Sequence, residues 1–222
     1  MRWIVLLLVA GCGFVDYDRA PVGRFDGSVI VMWVDETKDG LGDGTFVFVP
    51  SKNPLRFTRK LPDGRDGQTI MPGIMYTDGG SIPQIAQVFN GFSPWGYAPA
   101  YMVHDWLFAA RHCNKDGKAD ANEKSVETFD FQASADIFAE MVKALIEQEK
   151  VTRKDVAPKV ISSVVAGPIA KSLWNKNNAC REPRIHPEHM AEIQRALPGI
   201  IGTKGLRLSP GPMATIVAEI SF

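Results

Sequence analysis

Between Ser28 and Val34 the chain reads SVIVMWV, a short run of β-branched and aromatic residues, and a second such run, TFVFV, follows the Gly/Asp-rich stretch DETKDGLGDG. Two apolar runs of strand length around a turn-forming loop predict a β-hairpin. LRFTRK, the turn sequence LPDGRDG and then TIMPGIMYT predict a second hairpin. From Tyr97 the period changes. YAPAYMVHDWLFAARH spaces its apolar residues as a helix does, with Pro99 near the expected start. After a polar loop at residues 113–123, SVETFDFQASADIFAEMVKALIEQEK puts Ile137, Met141, Ala144 and Leu145 on one helical face. A third helical segment, KDVAPKVISSVVAGPIAKSLWN, is interrupted by Gly167 and Pro168. Past Asn175 the chain is rich in Pro and Gly, with a short helix expected at 188–196 and a last strand near ATIVAEISF. Strands in front and helices behind make an α+β fold, a small antiparallel sheet followed by two or three packed helices.

The length of 222 residues suits one sizeable domain, and the 25 basic and 25 acidic residues cancel, so bulk charge offers no case for nucleic acid as a partner. The N-terminus adds more. Met1-Arg2 precedes the apolar run Trp3 to Val9 and then LVAGC, an order that resembles a bacterial lipoprotein signal ending in a lipobox. Its apolar core is too short to span a bilayer as a helix. The resemblance implies a signal over residues 1–12, lipid on Cys12 and a tether over 13–27, and the pattern of elements puts the main domain over 28–175 and a C-terminal extension over 176–222. The mature chain would then sit on the periplasmic side of a bacterial envelope, held to the membrane by lipid. The alternative is a cytoplasmic protein with a short N-terminal strand or helix. Without Cys12 the cysteines are Cys113 and Cys180, which suit a disulfide in an oxidising compartment or, equally, two buried thiols.

Three segments draw attention as chemistry: TDGGSIP from Thr77, VHDWLF from Val103 and SADIF from Ser134. Neighbours on a helix point about 100° apart, so His104 and Asp105 line two sides of a cleft rather than one point. Asp78 stands in a Gly-Gly turn, where bare backbone can approach a ligand. Carboxylates mixed with carbonyl oxygens are the donors that calcium favours.

The order Thr77-Asp78, Ser81-Ile82-Pro83, Trp95-Gly96, His104-Asp105-Trp106-Leu107-Phe108 and Ala135-Asp136 with Phe138 resembles the phage and bacterial domain of unknown function 1353 over roughly residues 28–175. That family implies a domain but no reaction. More distantly, the His-Asp helix is similar to that of secreted phospholipases A2. This second resemblance implies His104 as general base, Asp136 as the carboxylate that orients it, and calcium held by Asp105, Asp78, Gly79 and Gly80, for hydrolysis of an ester in a lipid or envelope component. The chain departs from those lipases in lacking their flanking cysteines and in its TDGGS loop. The competing expectation is a non-catalytic envelope or phage-derived structural lipoprotein, in which His104 and Asp136 form a buried hydrogen-bonded pair, Asp78 caps a turn and Asp105 pairs with a cation.

Other candidates read as structure. HCNKDGKADANE fits an EF-hand frame with Asn114, Asp116, Asp120 and Glu123 in ligand places, but His112 stands where the first aspartate belongs, which favours a solvated turn. His186, Glu188 and His189 in RIHPEH read as a surface loop rather than a metal cluster, and Ser81 lacks a nucleophile elbow.

Overall fold

A computed structural model describes residues 15–34, 45–77, 96–151, 162–200 and 210–222. The architecture is α+β, and the strands divide into two antiparallel sheets. Strand β1 (Arg24–Asp26), β4 (Arg56–Lys60) and β5 (Asp66–Ile70) form the first, in the order β1-β4-β5. The second, in the order β6-β3-β2-β7, contains β2 (Ser28–Val34), β3 (Thr45–Pro50), β6 (Met75–Thr77) and β7 (Thr215–Ser221). The expected first hairpin is present, with Val29 opposite Pro50 and Val34 opposite Thr45.

The second hairpin closes earlier than the sequence pattern suggests. Strand β4 pairs with Asp66–Ile70, whereas Met75–Thr77 crosses to the other sheet and places Thr77 opposite Phe46. Pro72 and Gly73 lie between these two short strands. Proline lacks the amide that a continuing ladder needs, so one apolar run is cut into strands of different sheets.

Ordered structure also begins before Ser28. Phe25 in β1 is fully buried, and its ring lies 4.9 Å from those of Phe57 and Phe222. Gly27 turns the chain from one sheet to the other with φ of +84°, and a Cβ there would lie 2.3 Å from the Pro54 carbonyl oxygen. Only glycine meets both demands.

The helices are α1 (Ala98–Lys115), α2 (Ala121–Lys124), α3 (Phe131–Glu147), α4 (Pro168–Trp174) and α5 (Pro187–Ala196). Pro99 sits in the first turn of α1, where its missing amide is no loss. Asp130 caps α3 by accepting from Ala133 N at 2.7 Å. A reciprocal pair starts α2: Asp120 accepts from Glu123 N at 2.8 Å, and Glu123 accepts from Asp120 N at 2.9 Å.

Strand alternation decides where the cores sit. Val29 and Val31 of β2 join Phe48, Phe57, Tyr101, Trp106 and Phe138 in the larger core, against α1 and α3. Ile30, Met32 and Val34 point the other way and pack with Val47, Val49, Ile185, Ile193 and Leu197. Strand β2 is therefore apolar on both faces because α5 and its approach cover the side that α1 and α3 do not. Within the stretch 176–222, read in the sequence as an extension, Ile185, Ile193 and Leu197 supply this cover and Thr215–Ser221 form strand β7, which pairs with β2. Burying an Ile or Leu side chain contributes roughly 1.5–3 kcal/mol, so this segment is part of what holds the sheet. No described helix is long and apolar enough to cross a membrane.

Candidate functional site

Helix α1 carries the His-Asp pair, and the 100° step between adjacent residues separates their surroundings. The His104 side chain turns inward. It is 6% exposed, and its ring centroid lies 4.9 Å from Phe108 and 5.2 Å edge-on from Phe138 of α3. Its Nε2 is buried and has no hydrogen-bond partner among the described residues. Nδ1 lies 3.9 Å from Asp105 Oδ1, beyond hydrogen-bond length.

Asp105 lines a cleft of about 760 Å³ between β6, α1 and residues 179–189, and His104 is not among the residues that line it. The apolar side of the cleft is built from Ile74, Met75, Trp106 and Phe108. Opposite stand Arg181, Arg184 and His189.

The Asp136 carboxylate does not orient His104. Asp136 accepts from Gln132 Nε2 at 2.9 Å, one turn back on its own helix. The reason is azimuthal: Ala135 and Phe138 occupy the buried face of α3, with Phe138 against His104, while Asp136 falls in line with Glu140, one turn on, beside β4. There Arg59 holds Glu140 with two-pronged geometry, Nε lying 3.1 Å from Oε2. Burial pushes the Asp136 carboxyl above its ordinary range, against the Gln132 hydrogen bond and the Arg59 charge. Glu140 is raised too, because burial outweighs its bond to Arg59.

No family model, curated protein or solved structure matches this chain. Of the set expected to hold calcium, Asp105 is described, whereas Asp78, Gly79 and Gly80 lie outside the described residues, as do Ser81 and Cys12. Among the described residues, no group of three or more His, Cys, Asp or Glu side chains gathers as a metal site.

The EF-hand frame is a structural turn. Asp116 accepts from Asn178 N at 3.0 Å and Cys180 N at 2.9 Å, and these bonds, that from Cys180 foremost, hold its carboxyl below the usual range. Glu123 is gripped by Arg184, with Nε at 2.8 Å from Oε1 and an Nη2 contact of 2.7 Å to Oε2. Asn114 Nδ2 donates to the Ala110 and Glu123 carbonyls. Asn114, Asp116, Asp120 and Glu123 are thus each engaged by a protein partner. Beside the turn, Cys113 and Cys180 form a disulfide.

A cluster that the sequence did not suggest closes the far side of the cleft. The Tyr76 hydroxyl accepts from His186 N at 2.9 Å and lies 2.7 Å from His189 Nδ1. The one phenol oxygen therefore joins the His186 amide and the His189 ring. Arg181 stacks over the Tyr76 ring at 4.7 Å. Tyr76 thus clamps the start of α5 onto β6. The only sequence signal was the spacing of His186 and His189, three apart, with nothing to point to the tyrosine.

Proposed function

We propose that this protein is a non-catalytic component of a bacterial cell envelope, lipid-anchored at Cys12 on the oxidising side of the membrane, in which the His104–Asp105 helix serves the fold. The observation that carries this reading is the setting of His104. Its ring is a packing element between Phe108 and Phe138, and the carboxylate expected to orient it is engaged with Gln132. A general base needs a path to its substrate and a partner for its second nitrogen. The Cys113–Cys180 disulfide supports an oxidising compartment, since such bonds persist there.

One observation favours a second reading, an ester hydrolase of phospholipase A2-like chemistry with calcium. A buried imidazole nitrogen with no partner is uncommon, and active sites are one place where it occurs. A single experiment separates the two. Phospholipid and simple ester hydrolysis is measured with and without calcium for the parent chain and for His104→Ala. The proposed reading expects no turnover above background from either protein; calcium-dependent turnover lost in His104→Ala would establish the hydrolase. For the anchor, Cys12→Ser is expected to release the protein from the membrane fraction of expressing cells, and unchanged fractionation would remove the lipid anchor.

A further inference from the structure

The cleft beside α1 is built for a ligand without any part for His104. Its volume of about 760 Å³ falls within the range of small-molecule sites, and Ile74, Met75, Trp106 and Phe108 give it an apolar wall. Most of its charged lining cancels within the protein. Arg184 is spent on Glu123, with Nη2 2.7 Å from Oε2. Arg181 is different: Glu182, its neighbour in the chain, reaches Lys118 Nζ at 2.9 Å, and among the described residues no carboxylate lies within ion-pair distance of the Arg181 guanidinium.

This cation is also held in place. Cys180, just before it, is tied to α1 by the disulfide with Cys113 and donates its amide to Asp116 at 2.9 Å. Arg184 Nη1 donates to the Arg181 carbonyl at 2.7 Å. The Arg181 side chain lies over the Tyr76 ring at 4.7 Å, and that ring is pinned in turn where its hydroxyl accepts from His186 N. Contact with a ring engages the face of a guanidinium and leaves the N–H donors at its edge unspent. A fixed cation with unspent donors, next to an apolar wall, orients a ligand by one oxyanion at little entropic cost.

We infer that this cleft binds an organic monocarboxylate, with the carboxylate on the edge of the Arg181 guanidinium and an apolar body against Trp106 and Phe108. A guanidinium edge matches the two oxygens of a carboxylate with two parallel hydrogen bonds. Asp105 lines the same cleft, so a doubly charged head such as a phosphate monoester meets twice the repulsion that a single carboxylate does. The inference goes beyond the non-catalytic reading by giving the protein a ligand. It needs neither turnover nor the lipid anchor, so the hydrolysis and fractionation results stand apart from it.

The test is isothermal titration calorimetry of the full chain carrying Cys12→Ser. The probes are octanoate and naphthoate, their neutral counterparts octanol and naphthylmethanol, and octyl phosphate. At least one of the two carboxylates should bind at a single site, at least about tenfold tighter than its neutral counterpart. Arg181→Gln should weaken that binding by at least about tenfold, whereas Lys52→Gln, an exposed lysine outside the cleft, should leave it unchanged. Ala109→Phe, which places a ring in the cleft, should abolish it. Near-ultraviolet circular dichroism checks that each variant is folded; if Ala109→Phe is not, Arg181→Gln and the neutral counterparts decide. Binding of neither carboxylate, equal binding of the neutral counterpart, or unchanged binding in Arg181→Gln or in folded Ala109→Phe would each overturn the inference. Tighter binding of octyl phosphate than of octanoate would overturn the assignment to a singly charged head.

Discussion

Removing both cysteines of the disulfide, as Cys113→Ala with Cys180→Ala, should destabilise the protein mainly through its unfolded state. The bond spans 67 residues. Releasing a loop of that length returns about 15 cal/mol/K to the unfolded chain, or about 4 kcal/mol at 25 °C. The native state should change little, because the same junction is held by other bonds. Asp116 accepts from Asn178 N and Cys180 N, Arg184 reaches back to Glu123, and Lys118 lies 2.9 Å from Glu182. The assay is urea unfolding followed by tryptophan fluorescence, in a Cys12→Ser background to exclude other thiol chemistry. With an m-value of about 2.5 kcal/mol/M the midpoint should fall by roughly 1.7 M, and m itself should rise as the unfolded chain expands. Native circular dichroism should match that of the parent. A loss below about 1 kcal/mol would refute the loop argument. A large loss with altered native spectra would show instead that the bond shapes the folded state.

Two side chains of the candidate site give further tests. His104→Leu removes a buried nitrogen that has no partner among the described residues, so thermal unfolding should show a stability equal to or above that of the parent, whereas His104→Ala should lose about 2–3 kcal/mol through the cavity it leaves. A clear loss in His104→Leu would mean that the imidazole is satisfied by a bound water or ligand. Asp136 has its folded-state pKa raised by burial above its ordinary 3.8. The folded state therefore keeps this proton to higher pH than the unfolded chain does. Its contribution is fully present below pH 3.8 and is lost as pH rises through the folded value. Asp136→Asn keeps an acceptor for Gln132 and should flatten that limb of the stability–pH curve without loss at neutral pH; a destabilised variant at neutral pH would show that the charge is needed by Arg59.

Periodicity made much of the architecture legible in the sequence. The β2–β3 hairpin, α1, α3 and the final strand each follow from runs whose spacing is local. What could not be read was which surfaces those elements share. Pro72 and Gly73 interrupt an apolar run, but nothing local says that Met75–Thr77 leaves for a different sheet. The second core was hidden because its helix side, Ile185, Ile193 and Leu197, is scattered through a Pro-rich stretch that resembles a loop. The same limit applied to the site. Chain order put Asp136 near Phe138 and hence near His104, yet two residues on a helix are about 200° apart, and that rotation sends the carboxylate toward β4. The pairing of Cys113 with Cys180 was open for a similar reason, since a 67-residue interval carries no distance until both ends are fixed.

Strand β7 guards an edge. Its register runs from Ser28 opposite Ser221 to Trp33 opposite Thr215, with a bulge beside Val31 and Met32. Without those residues β2 would have one edge unsatisfied and the Phe25 ring would lack Phe222. A chain cleaved before Thr215 would thus carry an apolar central strand with bare amides and carbonyls along one side. Such an edge is a template for another chain, so β7 is also what keeps two copies of this sheet from joining.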